Sequence, residues 1–197
     1  MQDLLEPIDD QIAWITGSQV CYCAEAFQGV SRHHPDAAAL SVLATVLRNG
    51  FLHTAIREKG GAYGAGAIND TATNTFKFFS YRDPKCSETF SAFREAIEWS
   101  KTSITDQHLE EAILGVVSSI DKPLSPVGEA KNDFNFNLED ISTKERLEMR
   151  QRVINCSIDD LIRVSEKYLT KPSKKSILAG KAYSEEASSL GLNLREV

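Results

Sequence analysis

The chain has 197 residues, 42% of them hydrophobic and 25% charged, enough apolar material for one large domain or two small ones packed closely. Its net charge is −6, and the basic residues are scattered apart from a short run at 171–175. Nucleic acid is therefore a poor candidate for the main partner, since phosphate neutralisation supplies most of that affinity. Peptides remain open as partners.

Residues 1–10 are acidic and are expected to be loose. The N-terminal stretch MQDLLEPIDDQIAWITG has no long apolar run, so it does not read as a signal peptide. No segment reads as long enough to span a membrane. The expected compartment is cytoplasmic, or the mitochondrial matrix or plastid in a eukaryote. Four cysteines, Cys21, Cys23, Cys86 and Cys156, form no C-x-x-C pair and fit no zinc-finger spacing. They read as reduced, partly buried thiols.

Residues 11–16 suggest a first strand, and Gly17-Ser18 a turn. Residues 19–28 alternate, with Val20, Tyr22, Ala24 and Ala26 on one face and Cys21, Cys23, Glu25 and Phe27 on the other. Pro35-Asp36 then opens a helix over 36–47 that is apolar nearly all round, which predicts burial on more than one side. Asn49-Gly50 reads as a stop or bend, followed by a further helical piece over 51–59 that ends at Gly60-Gly61. Residues 62–68 and 73–81 read as a hairpin.

Asp83-Pro84 is read as the N-cap and first position of the next helix, whose apolar stripe runs through Phe90, Phe93 and Ile97. Thr105 is expected to cap a third helix, and 121–129 reads as a loop. The class of 132–141 is left open. Ser142 and Ser157 each open a helix with a capping-box pattern. Residues 174–180 read as a strand and 184–190 as a short terminal helix. The order predicts one α+β domain over 1–197, with a largely antiparallel sheet and helices packed on one face.

Candidate chemistry is sparse. The histidines are His33, His34, His53 and His108. His108-Leu-Glu-Glu-Ala112 approaches the inverted zinc motif H-x-x-E-H, but Ala112 stands where the second ligand must be. No G-x-S-x-G is present, and the Gly-rich run near Tyr63 opens a strand, so it lacks the helix N-terminus that would hold a phosphate. Arg57 and Tyr63 flank the Gly-Gly turn, which can fold both toward one groove. Arginine offers a fork of fixed donors and tyrosine a hydroxyl on a rigid ring. Gly60, Gly61, Ala62, Gly64 and Gly66 would let an extended backbone come close. On spacing alone, a surface arginine and a core tyrosine beside a tight turn is the competing reading.

Arg57-Glu-Lys-Gly-Gly-Ala-Tyr-Gly64, followed by Phe76-Lys-Phe-Phe-Ser-Tyr-Arg-Asp-Pro84, resembles the C-terminal half of the pitrilysin/insulinase-family zinc peptidases, especially the presequence protease branch. Residues 35–40 and 47–53 share that likeness, which is dense over 35–84 and looser to about residue 169. The resemblance implies two homologous halves that close around a peptide. Zinc, its H-x-x-E-H helix and a distal glutamate belong to the N-terminal half. It implies that Arg57 and Tyr63 reach across to the substrate, gripping its backbone or C-terminal end and stabilising the oxyanion. Gly60, Gly61, Ala62 and Gly64 are the accompanying substrate-binding positions.

The helix over 36–47 has no histidine, so no metal or cofactor is expected on this chain, and the chain alone is expected to be inactive. Its implied partners are a peptide substrate and the zinc-binding half, in the same protein or as a paired subunit, with no membrane or nucleic acid. The alternative is a non-catalytic peptide-binding or assembly subunit of the same family.

Overall fold

The computed structural model describes residues 10–197. The expectation of a loose segment at 1–10 falls almost wholly outside them. Six strands form one sheet: β1 (Ile12–Thr16), β2 (Tyr22–Gln28), β3 (Gly64–Asp70), β4 (Thr75–Tyr81), β5 (Ser173–Gly180) and β6 (Asn193–Glu196). Their spatial order is β3-β4-β2-β5-β1-β6. The pairs β3–β4, β4–β2 and β2–β5 are antiparallel, and β1 lies parallel to both β5 and β6. The fold is α+β with a mostly antiparallel sheet. The short strand β6 has no counterpart in the sequence reading, because its four residues are all exposed and carry no alternation.

The alternation in β2 sorts as its pattern predicts. Cys21, Cys23, Glu25 and Phe27 are buried, whereas Ala24 on the opposite face is exposed. Phe76 and Phe78 of β4 join them, and Phe93 stacks on Phe78 at 5.3 Å between ring centres. Burying such a side chain stabilises by roughly 1.5–3 kcal/mol, so this aromatic cluster anchors the helical layer to the sheet. All four cysteines are free and buried.

Helix α1 (Ala37–Leu47) runs through the middle of the core, with nine of its eleven residues buried. It does not stop at Asn49-Gly50. It continues as a π-helical segment, Arg48–Glu58. Gly50 serves packing here: a Cβ at this position would lie 2.6 Å from the Trp99 indole. The joined helix Ala37–Glu58 spans 22 residues and is long and apolar enough to cross a bilayer, contrary to the sequence reading. Half of its most apolar stretch is buried inside the protein, as befits a core helix.

Helices α2 (Ser87–Thr102), α3 (Asp106–Ile120), α4 (Pro126–Leu138), α5 (Thr143–Ile154), α6 (Ile158–Leu169) and α7 (Ser184–Ser189) follow. Thr105, Ser142 and Ser157 each accept the expected N-terminal amide. Asp83 does not cap α2, which starts at Ser87 after Cys86. Instead Asp83 pairs with Cys21 through the backbone and accepts from the Thr89 hydroxyl at 2.6 Å. Nor is 121–129 all loop: Ser125 caps α4, with Pro126 in its first turn. Proline's fixed φ suits that position.

Two polar ties hold α1 in place. Asp36 at its start is buried and accepts from Arg163, Lys167 and the Tyr168 hydroxyl, each at 2.7 Å. Asn69 of β3 donates from Nδ2 to the Ala37 carbonyl and the Ser41 hydroxyl, both at 3.1 Å.

Candidate active-site corner

The π-helical segment ends where the sequence places its glycines. Lys59 N–H donates to the Thr54 carbonyl five residues back, at 3.0 Å, keeping the wide turn to the last residue. Such geometry is rare, appears mostly as single turns and is often found at functional sites. Gly61 then takes φ +87°, and the amides of Gly61 and Ala62 close back on the carbonyls of Arg57 and Ile56, at 3.1 Å each. Gly60 has a steric role: a Cβ there would lie 2.4 Å from the Ile56 carbonyl oxygen. The chain leaves the helix sharply, and Tyr63 N–H locks onto the end of β4 through the Tyr81 carbonyl at 3.1 Å.

This turn brings Arg57, Gly61, Ala62 and Tyr63 to one open cavity of about 670 Å³, together with Val20, His53, Glu58 and Arg82. Tyr63 is 68% exposed, so it is not the core tyrosine of the competing reading. Its ring packs edge-on against Tyr81 at 5.7 Å, and Tyr81 in turn against Tyr22 at 5.4 Å. The ring is therefore braced while its hydroxyl stays in solvent. Arg57 lies in the last helical turn, where the dipole favours a cation. Its guanidinium lies 3.1 Å from His53 Nε2, and His53 Nδ1 lies 3.3 Å from a Glu58 carboxylate oxygen. With the proton on Nδ1, the imidazole donates to Glu58 and accepts from Arg57, a tautomer assigned from this network.

Ala62 is buried and borders the cavity. Gly64 is not among the residues that line the cavity, although it has open space where a side chain would stand. Gly60 faces away, into a separate cleft of about 110 Å³ beside Ile56 and Lys85. Sequence reasoning did not single out His53 or Arg82 as members of this corner. His53 had a readable signal, lying four residues before Arg57 on a helix. Arg82 had none: its place depends on a left-handed backbone with φ +48°, unusual for a residue other than glycine.

The four histidines are engaged separately. His33 pairs with Glu145 at 2.8 Å, and His34 Nδ1 accepts from the Asp36 amide at 3.0 Å. His53 holds Arg57. His108 completes the Thr105 cap and lies edge-on to Trp99 at 5.1 Å. Among the described residues no group of three or more His, Cys, Asp or Glu side chains is arranged to hold a metal ion.

The family described as "PreP C-terminal domain" matches residues 17–178. The chain belongs to this family of presequence protease C-terminal domains. It is 41% identical over 157 residues to the mitochondrial presequence protease of Eremothecium gossypii, covering 79% of this chain and 16% of that protein. The chain thus spans about a sixth of the length of this relative. Among solved structures, a protease from Helicobacter pylori superposes with a TM-score of 0.74 at 19% identity, over 85% of this chain and 43% of that one. Pitrilysin superposes with a TM-score of 0.64 at 13% identity, over 95% of this chain and 22% of its own. These two likenesses establish the fold.

Proposed function

We propose that this chain is the substrate-gripping C-terminal domain, residues 1–197, of a zinc-dependent endopeptidase that degrades unstructured peptides. The observation that carries this reading is the convergence of Arg57 and an exposed Tyr63 on one cavity, braced by His53 and Tyr81. Family membership adds weight to it. The side chains present here do not fit zinc: α1 offers no metal donor on its buried faces, and the histidines are committed elsewhere. Zinc belongs, in this reading, to an N-terminal half outside this chain. The partners are that half and the peptide, and the relative's mitochondrial name favours the matrix as the compartment.

The work assigned to these residues is positioning and charge stabilisation. Arg57 uses one nitrogen on His53, leaving other N–H donors for a substrate carbonyl or carboxylate. The Tyr63 hydroxyl donates to the oxygen that becomes negative as the peptide bond is attacked. Gly61 at the cavity, and Gly64 just beyond its lining, keep the approach clear for an extended backbone. Removing a donor to a developing oxyanion typically costs about 10²–10³ in turnover.

Arg57→Ala in the complete protein is expected to lower turnover of an unstructured peptide by about that factor, with zinc content unchanged. A near-wild-type rate would overturn the role of Arg57. The 197-residue chain by itself, incubated with zinc and the same peptide, is expected to show no cleavage. Robust chelator-sensitive cleavage would mean that the chain holds its own metal.

A further inference from the structure

A second concavity, also of about 670 Å³, lies between the outer edge of β3 and helices α3, α4 and α5. It is separate from the Arg57 corner, at the opposite end of the π-helical segment. β3 is the last strand on its side of the sheet, so alternate backbone groups face outward without a strand partner. Three consecutive β3 residues, Ala67, Ile68 and Asn69, line the groove. Consecutive residues of a strand point to opposite faces, so the wall is the strand's edge and not one face of the sheet.

Three arginines line this groove, Arg32, Arg48 and Arg146, and no Asp, Glu or Lys does so. Arg146 has a loose pair with Asp133 at 3.5 Å and lies over the Phe136 ring at 4.3 Å. Arg32 lies over the same ring at 5.5 Å. Neither Arg32 nor Arg48 has a carboxylate within ion-pair distance among the described residues, although the chain carries 28 acidic side chains. Asn69 ties the strand to the helix beneath it. Its Nδ2 is committed to α1, and its Oδ1 is buried with no hydrogen-bond partner among the described residues. Phe136, Ile120 and Met149 supply an apolar lining.

We propose that this groove is a second peptide site, taking an extended segment that carries acidic side chains. The segment's backbone pairs with the open β3 edge, and the carboxylates face Arg48 and Arg32. Guanidinium groups bind carboxylates through two parallel hydrogen bonds. Edge-strand addition supplies sequence-independent affinity, and side-chain pockets supply selectivity.

Fluorescence anisotropy on the full-length protein, with hydrolysis blocked by a chelator, tests the site. The probes are a labelled peptide alternating Glu with Val and Phe, and the same peptide with Gln for every Glu. The Glu peptide is expected to bind about tenfold more tightly, as for one good carboxylate–guanidinium contact. Arg48→Glu and Arg32→Glu should each erase that preference. Both side chains border solvent, and circular dichroism checks that the variants remain folded. Arg57→Ala should leave the preference intact, so a failure at the Arg57 corner is distinguishable from a failure here. Equal affinity for the two peptides, or a preference that survives Arg48→Glu, would overturn the site. So would an oligonucleotide that outcompetes the Glu peptide, or a dimer that Arg48→Glu dissolves.

Discussion

At the scale of single residues, the corner depends on positions that no other side chain can fill. Gly60→Ala would drive a methyl group into the Ile56 carbonyl, 2.4 Å away, and backbone cannot rotate aside as a side chain can. The substitution should destabilise the protein by about 1–3 kcal/mol, read as a lowered denaturant midpoint, and should disturb Arg57 through the same turn. An unchanged midpoint would mean that the turn relaxes freely. In the proposed site His53 would act through Arg57, as a positioning residue. His53→Ala should cost about 3–10-fold in kcat/KM in the complete protein, the equivalent of about 1 kcal/mol, and His53→Gln, which keeps an acceptor, should restore part of it. That Arg57 and Tyr63 flank a Gly-Gly break was legible in the sequence, and the structure brings both to one cavity. Arg82 was not legible, because left-handed backbone at a non-glycine residue leaves no mark in composition or spacing.

At the scale of elements, the sequence signals that held were those with a local physical cause. The Ser142 and Ser157 capping boxes form because donor and acceptor lie three residues apart in the chain. The signals that misled were overridden by tertiary contacts. Gly50 reads as a breaker, yet its missing Cβ makes room for Trp99, which itself packs on Phe51 at 5.9 Å. Gly50→Ala should therefore destabilise by about 1–3 kcal/mol through overpacking, although alanine is the better helix former. A stabilised Gly50→Ala variant in thermal unfolding would show that intrinsic propensity governs this position. Asp83-Pro84 carries the composition of a helix start, but Asp83 is drawn into a buried bridge with Cys21 and a bond from Thr89. The π-helical geometry of Arg48–Glu58 carries no signal in composition or spacing.

For the whole molecule, period-two alternation told which segments are strands and which face is buried, but not which strands are neighbours. The parallel placement of β1 between β5 and β6 pairs residues more than 160 positions apart, beyond the reach of any local pattern. The ties between layers are electrostatic as well as apolar. Burial pushes the Asp36 carboxyl up, but hydrogen bonds from Lys167, Tyr168 and Arg163 outweigh it and hold the group well below the ordinary value of 3.8. Lys77 and Thr73 hold Asp70 down, at about 2. Both folded values lie below the unfolded ones. Their contribution is thus complete above about pH 4 and fades as pH falls through the folded values. Asp36→Asn should lower stability by about 1.5–3 kcal/mol at pH 7 and less at pH 2–3. A loss that does not shrink in acid would contradict the role given to these bonds.

If Tyr63 places its hydroxyl where a peptide bond is broken, as proposed, Tyr63→Phe isolates that contribution. The substitution keeps the ring and its packing on Tyr81, and removes one oxygen from an exposed position. The decisive measurement is single-turnover cleavage of an unstructured peptide by the complete protein and by this variant, at saturating enzyme. The chemical step is expected to slow by about 10²–10³ with peptide affinity little changed. A variant that cleaves at the wild-type rate would contradict that role and leave this chain as a peptide-binding surface only.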